Sequence, residues 1–344
     1  MNSYGPYSEE MKVALEAVRR AARLSSSIQK SFKREEAVSK LDASPVTVAD
    51  FGVQALIALY LKRSCPTYGL VAEEDASYLR SEEGAAALQR VTSEVNAADD
   101  GSKYSEADIL DAIDFGGGSG GSNGRHWVLD PVDGTKGFVR GDQYAICLGL
   151  IDQGQVVAGV LGCPNLPQEP GNLDGDTSRS CKRGVIFYAV RGEGAYQQAL
   201  DSPSVPPQRI HVSEISDPAQ AVVCESYETS HSPHEVTGKM ATLLGVAAKP
   251  IRIDSQCKYG LLARGEGSIY LRFPRKGYVE NIWDHCAGSI IIQEAGGSVS
   301  DEKGDPLDFG KGRKLQSKGI VASNGRLHPL IIAAVQEVLA TQPS

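Results

Sequence analysis

Apolar positions recur at mostly helical spacing through residues 8–32, at Met11, Val13, Leu15, Val18, Ala21, Ala22, Leu24 and Ile28. Glutamates come early and basic residues late, as the helix dipole favours, so this stretch predicts an amphipathic first helix. Residues 44–50, Ser-Pro-Val-Thr-Val-Ala-Asp, read as an extended segment turning into a second helix through Gln54, Leu56, Ile57 and Leu61. Asp50 is thereby placed near a helix start. A short Gly-Leu-Val-Ala strand at 69–72 ends in the acids Glu73, Glu74 and Asp75, and helical patterns follow over 83–96 and 105–113.

Strand-like runs then take over. Trp127-Val128-Leu129-Asp130 reads as a strand stopping at Asp130-Pro131. Residues 144–151 and 156–162 flank an Asp152-Gln153-Gly154 turn, and 185–190 enters a hairpin that closes an antiparallel sheet. Beyond the proline cluster at 202–207, strand-like segments (221–224, 251–253, 268–271, 319–322) alternate with helical ones (232–244, 258–263, 285–294, 329–339), the pattern of an α/β layer. A chain of 344 residues exceeds the usual size of a single domain. We therefore expect an α+β part over 1–205 and an α/β part over 206–344. Residues 164–182 are expected to be a loop, and the Gly- and Ser-rich stretch 116–124 a mobile surface loop. Gly116, Gly118 and Gly121 match G-x-G-x-x-G, but a helical pattern precedes them where a nucleotide-binding turn needs a strand, so the match reads as chance.

Composition narrows the function. Thirty-five Lys and Arg against 43 Asp and Glu leave a formal net charge of -8, which opposes broad attraction to nucleic acid or anionic membranes. An acidic protein can still take a polyanionic substrate where metal ions or a basic pocket reverse the local sign. The seven cysteines are scattered with no C-x-x-C pair and read as thiols of a reducing compartment, with oxidation of Cys163 and Cys181 across the 164–182 loop left open. Neither a targeting pattern at the N-terminus nor an apolar run of membrane-spanning length is visible, so a cytoplasmic protein is expected.

The chemistry concentrates at Asp130-Pro131-Val132-Asp133-Gly134-Thr135. Two carboxylates in what reads as a tight turn, with the Val132 carbonyl between them, offer oxygen ligands suited to magnesium. Gly134 lets a phosphate approach the backbone, and Thr135 offers a hydroxyl and an N–H at a helix start. Asp50, Glu73 with Glu74, and Asp284 after Trp283 place further carboxylates at element ends. Taken alone, each reads better as an N-cap or a solvated acid than as a ligand.

Together these segments carry a resemblance. Pro45-Val46-Thr47-Val48-Ala49-Asp50, Val71-Ala72-Glu73-Glu74-Asp75, the Asp130 to Phe138 run and Ile282-Trp283-Asp284-His285 resemble the motifs of the lithium-sensitive inositol monophosphatase and fructose bisphosphatase superfamily, in order along nearly the whole chain. Arg140-Gly141-Asp142-Gln143-Tyr144, Asp254-Ser255-Gln256-Cys257-Lys258-Tyr259 and His231-x-x-His234 are most similar to its 3′(2′),5′-bisphosphate nucleotidases. The resemblance implies an αβαβα layered sandwich and a magnesium-dependent phosphomonoesterase that turns adenosine 3′,5′-bisphosphate into AMP and phosphate, with 3′-phosphoadenylyl sulfate as a further substrate. Glu73, Asp130, Asp133, Asp284 and the Val132 carbonyl would hold two or three magnesium ions, which activate a water. Asp50 and Thr135 would orient that water and take its proton, with Glu73 assisting.

On the substrate side, Gly134, Thr135 and Asp284 would meet the reacting end. Lys258 and Arg272 would pair with the 5′-phosphate, and His231 and Ser255 would bond the nucleotide. A monomer with no nucleic-acid or membrane partner is expected. Cys286, where many relatives have Ala, and the Gly-rich stretch depart from the family pattern without removing a ligand. An inositol polyphosphate 1-phosphatase and a non-catalytic phosphonucleotide sensor are the alternatives. A P-loop hydrolase is excluded because no G-x-x-x-x-G-K-[ST] is present.

Overall fold

The computed structural model describes residues 5–31, 48–99, 103–171, 181–227, 234–275 and 277–341. Helix α1 (Ser8–Ser31) buries Met11, Val18, Leu24 and Ile28, the stripe its periodicity predicts. Helix α2 (Val48–Ser64) follows, then strand β1 (Gly69–Ala72) and helices α3 (Ala85–Ala98) and α4 (Glu106–Asp114). Helix α4 starts on a capping box: Ser105 Oγ accepts from the Asp108 N–H, and the Asp108 carboxylate accepts from the Ser105 N–H.

Strand β2 (Arg125–Asp133), helix α5 (Thr135–Arg140) and strands β3 (Ala145–Asp152), β4 (Gln155–Pro167), β5 (Arg183–Val190), β6 (Gly194–Ala199) and β7 (Gln208–Ile210) come next. Strands β1 to β7 form one sheet in chain order, parallel only between β1 and β2. The β3–β4 hairpin turns on Gln153 (φ 49°) and Gly154 (φ 76°), the left-handed pair a two-residue hairpin requires.

The rest of the chain gives β8 (Val223–Glu225), α6 (His234–Leu243), β9 (Ile251–Arg252), α7 (Cys257–Ala263), β10 (Ile269–Arg272), α8 (Cys286–Glu294), β11 (Ser298–Asp301), β12 (Ile320–Ser323) and α9 (His328–Ala340). Its five strands form a second sheet in the order β11-β12-β10-β8-β9.

Period-two alternation sorts side chains between three cores. Trp127, Leu129, Ile146, Leu148 and Leu150 join α1 and α2 in the first. Val128, Ala145, Cys147 and Ile151 point the other way, into a second core with α7, α8, Tyr270, Ile320 and Ala322. Ile269, Leu271 and Val321 face a third, beneath α6 and α9. The layers are therefore α1/α2, first sheet, α7/α8, second sheet, α6/α9, the expected αβαβα sandwich. Helix α8 approaches closely because Gly149 has no side chain: a Cβ there would stand 2.4 Å from Cys286 Sγ.

The structure corrects several expectations. Strand β2 does not stop at Asp130 but runs on to Asp133, and β4 continues to Pro167, into the stretch expected to be loop. Strand β11 was not visible as a pattern, since Ser-Val-Ser-Asp holds one apolar residue. Strand β7, at residues 208–210, pairs with β6 and completes the first sheet. The first part of the Gly-rich stretch is no free loop: Gly118 N–H donates to Leu70 O at 3.0 Å, and Ala72 N–H donates to Gly116 O at 2.8 Å.

Candidate active site

Strand β2, helix α5, strand β10 and the segments before α7 and α8 surround a cavity of about 340 Å³. Glu73, Asp130, Val132, Asp133, Gly134, Thr135, Ser255, Lys258, Arg272 and Asp284 all line it, from positions scattered over more than half the chain. Asp50 does not line it; it is buried in the first turn of α2 and is one of the charges acting on Glu73 and Asp130. His231 lies outside the described residues.

Asp130 and Asp133 share the cavity because of a bulge, not a tight turn. In regular pairing, residues three apart face opposite sides of a sheet. Here Asp130 pairs with Cys147 and Asp133 with Ala145, so Pro131 and Val132 stand against Ile146 alone. The extra residue inverts the parity and brings both carboxylates to one side, while the Val132 side chain goes into the first core. Proline is tolerated there because a bulge interrupts the ladder and needs no N–H from it.

Gly134 then takes a left-handed conformation (φ 89°, ψ 43°) and α5 begins at Thr135. A Cβ on Gly134 would stand 3.0 Å from the Ser255 Cβ, so glycine also makes room for that side chain. Ser255 is itself left-handed at φ 68°, a strained state for a residue with a side chain and one that clusters at functional sites. Its Oγ accepts the Cys257 N–H at 3.2 Å at the start of α7. Helices α5, α7 and α8 all begin at the cavity, so the positive ends of their dipoles lie beside it, although in α7 the Cys257 N–H is taken by Ser255 Oγ and in α8 the Gly288 N–H by Gln256 Oε1.

The carboxylates repel one another. Burial, then Asp284, Glu74, Asp50 and Asp133, push Glu73 well above the usual carboxylate range. Asp130 is likewise raised well above it, by burial and then Glu73 and Asp133. Burial raises Asp133 to about 6 despite Lys258, and Asp284 is also raised by burial. Burial and Asp50 push Glu74 to about 8. Asp130 Oδ1 is buried without a hydrogen-bond partner. Clustered acids that repel one another and the orphaned, buried oxygen of Asp130 fit a bound divalent cation, which would satisfy both.

A different trio, Glu280, Asp284 and His285, also brings ligand atoms within 4.8 Å of one another. Glu280 is already satisfied there. Arg272 Nε donates to it at 2.8 Å, and His285 Nε2 stands 3.3 Å from its other oxygen. Burial favours the neutral acid, but His285 and Arg272 prevail and hold Glu280 at about 2. Glu280 thus has its counter-charges, whereas Glu73, Asp130, Asp133 and Asp284 are all raised above the usual carboxylate range.

Lys258 is buried, donates to Ile253 O at 3.2 Å, and stands 5.3 Å from the centre of the Tyr270 ring. Burial lowers its pKa against the pull of Asp133 and Asp254. The resemblance assigned no role to Gln256, whose N–H donates to Asp133 Oδ2 at 2.5 Å and whose side chain bonds Trp283 O and the Gly288 N–H. Lys136, Arg275, Tyr278 and Glu280 also line the cavity unannounced. No spacing rule links them to the acids, because chain turns rather than periodicity bring them there. Cys163 is fully buried with Cys257 as its thiol neighbour, and Cys181 is half-buried and free.

Among the described residues no helix is long and apolar enough to cross a membrane. The model of the inositol monophosphatase family matches residues 7–340. The chain is 50% identical to a 3′(2′),5′-bisphosphate nucleotidase of Oryza sativa, over 98% of this chain and 96% of that one. It is 49% identical to 3′(2′),5′-bisphosphate nucleotidase 1 of Arabidopsis thaliana, over 98% of each. A 3′(2′),5′-bisphosphate nucleotidase of Emericella nidulans is 43% identical, over 97% and 99%. Among solved structures, the extragenic suppressor protein suhB of Bartonella henselae aligns with a TM-score of 0.62 at 20% identity, over 95% of this chain and 98% of that one. An inositol monophosphatase from Anabaena aligns with a TM-score of 0.58 at 19% identity, over 95% and 94%. The carboxylate cavity, the layered sandwich and these matches along the whole chain agree: the protein belongs to the inositol monophosphatase family.

Proposed function

We propose that the protein is a magnesium-dependent phosphomonoesterase that hydrolyses the 3′-phosphate of adenosine 3′,5′-bisphosphate to give AMP and phosphate, and that it also accepts 3′-phosphoadenylyl sulfate. The observation that carries this reading is the set of mutually repelling carboxylates gathered around one cavity, in a chain about half identical to proteins named for that reaction.

Glu73, Asp130, Asp133, Asp284 and the Val132 carbonyl are the ligand set, large enough for two or three magnesium ions. Bound there, magnesium supplies positive charge that offsets the acids, draws in phosphate oxygens and makes water more acidic. Thr135 Oγ1 donates to Val132 O at 3.3 Å, which holds the hydroxyl at the end of β2. Thr135 and Asp50 act as a relay that orients the attacking water: Thr135 takes the water's proton as it passes its own hydroxyl proton to the Asp50 carboxylate, and Glu73 helps to place the water. Gly134 leaves the α5 N–H groups open to the phosphate. Lys258 and Arg272 supply positive field to the 5′-phosphate, and Ser255 and His231 bond the nucleotide. Arg272 gives this from a paired state, since its Nε is committed to Glu280. The seven free thiols suit a reducing compartment, the basis for reading the enzyme as cytoplasmic.

Phosphate release from adenosine 3′,5′-bisphosphate and inositol 1,4-bisphosphate, with magnesium and with chelator, tests the reading. Magnesium-dependent preference for the nucleotide is expected. Preference for the inositol compound would overturn the substrate, and release from neither would leave a phosphonucleotide-binding protein.

A further inference from the structure

Arg313 and the Gly-rich stretch are absent from the site described above, yet they meet beside it. Arg313 Nη2 donates to the Ala72 carbonyl at 2.7 Å, and Nη1 donates to Gly118 O at 3.0 Å and Gly116 O at 3.3 Å. Ala72 ends β1, so its carbonyl belongs to the peptide bond that begins Glu73. The guanidinium also lies over Trp283, 4.7 Å from the ring centre, and Trp283 precedes Asp284. The Arg313 carbonyl accepts the Ile282 N–H at 3.0 Å, and the Leu315 N–H donates to Glu280 O at 2.9 Å. One planar cation thus uses its edge on the segment bearing Glu73 and its face on the segment bearing Asp284, a combination open to arginine and not to lysine.

The glycines explain how the backbone comes close enough. A Cβ on Gly118 would lie 2.4 Å from Leu70 O, and one on Gly116 would lie 2.8 Å from the Ala72 Cβ. Because Gly116 O also accepts the Ala72 N–H, the last residue of β1 is held at both its N–H and its C=O.

We propose that Arg313 is a positioning residue for the carboxylate centre, fixing the Ala72–Glu73 peptide against the Trp283–Asp284 segment so that both acids face one cation. This rests on Glu73 and Asp284 being ligands. Arg313 touches no substrate; it acts through the two segments it joins, as groups behind metal ligands generally do.

The test is calorimetric titration with Mn2+ alone, without substrate, on the wild type, Arg313→Lys, Arg313→Ala and Glu73→Gln, with circular dichroism to check folding. Arg313→Ala should weaken Mn2+ binding roughly 10- to 100-fold. Arg313→Lys should fall between it and the wild type, since an ammonium group keeps the charge but neither the fork nor the stacking plane. Should Arg313→Ala fail to fold, the Arg313→Lys titration decides the matter. Wild-type affinity in the folded Arg313 variants, with binding lost in Glu73→Gln, would overturn the positioning role and leave the ligands standing. Wild-type affinity in Glu73→Gln as well would overturn the ligand assignment and the proposal with it.

Discussion

Arg272 donates through Nε to Glu280 Oε1 at 2.8 Å with the carboxylate fully buried, so one of the cations lining the cavity already has an anionic partner. Replacing Glu280 by Ala leaves Arg272 charged and buried without its partner, and His285 loses a contact. Breaking such a pair costs about 3–5 kcal/mol. Urea denaturation of Glu280→Ala should show a loss of that order; a loss within experimental error would mean solvent already satisfies Arg272.

The same acid predicts a pH effect. Its folded pKa, about 2, lies below the ordinary 4.5, with burial opposed and outweighed by His285 and Arg272. Its contribution to stability is therefore present above about 4.5 and is lost as pH falls towards 2. The acid limb of the wild-type stability profile should be shallower in Glu280→Gln.

The carboxylates around the cavity have the opposite sign. Asp133 rises to about 6 and Glu74 to about 8, both chiefly through burial, so the folded metal-free protein holds protons the unfolded chain has released. That contribution is full below the unfolded values and is lost as pH rises through about 6 to 8. In chelator the melting temperature should decline over that window, and magnesium should raise it more at the alkaline end. An equal magnesium effect across the window would count against Asp133 as part of the proposed binding site.

Asp133→Asn keeps the shape but removes a charge facing the proposed cation. A loss of about 3 kcal/mol in transition-state stabilisation corresponds to a fall of roughly 100-fold in kcat/KM. Near-normal turnover at saturating magnesium would remove Asp133 from the site.

Gly149→Ala would place a methyl group 2.4 Å from Cys286 Sγ, against helix α8. Overpacking of this kind costs about 1–3 kcal/mol. Cys286→Ala, which removes the sulfur the new methyl group meets, should recover part of that loss in the double variant. Additive effects by chemical denaturation would show that the strain lies elsewhere.

Much of this molecule was legible along the chain. The β1 boundaries and the order of helices and strands followed from periodicity and caps, because those signals are local. Gly134, Thr135 and the acids at element ends were legible because turn chemistry and carboxylates are scarce in apolar neighbourhoods. Strand β11 was missed for want of apolar residues, and the anchored glycines at 116–118 were read as mobile because composition says nothing of the carbonyls they meet.

The sequence by itself determined which residue types were available: a full set of hard oxygen ligands, glycines where backbones meet, and alternations that sort side chains among three cores. Only the tertiary structure decided what they do together. The bulge at Pro131 and Val132, read from one strand as a turn, exists only against Ile146 of its partner and sets the parity that joins Asp130 to Asp133. The Gln256–Asp133, Glu280–Arg272 and Arg313–Ala72 bonds link segments with no shared spacing. Local patterns fix the direction of a side chain within its own element, whereas distances between elements, and the charges that act across them, arise only when the layers pack.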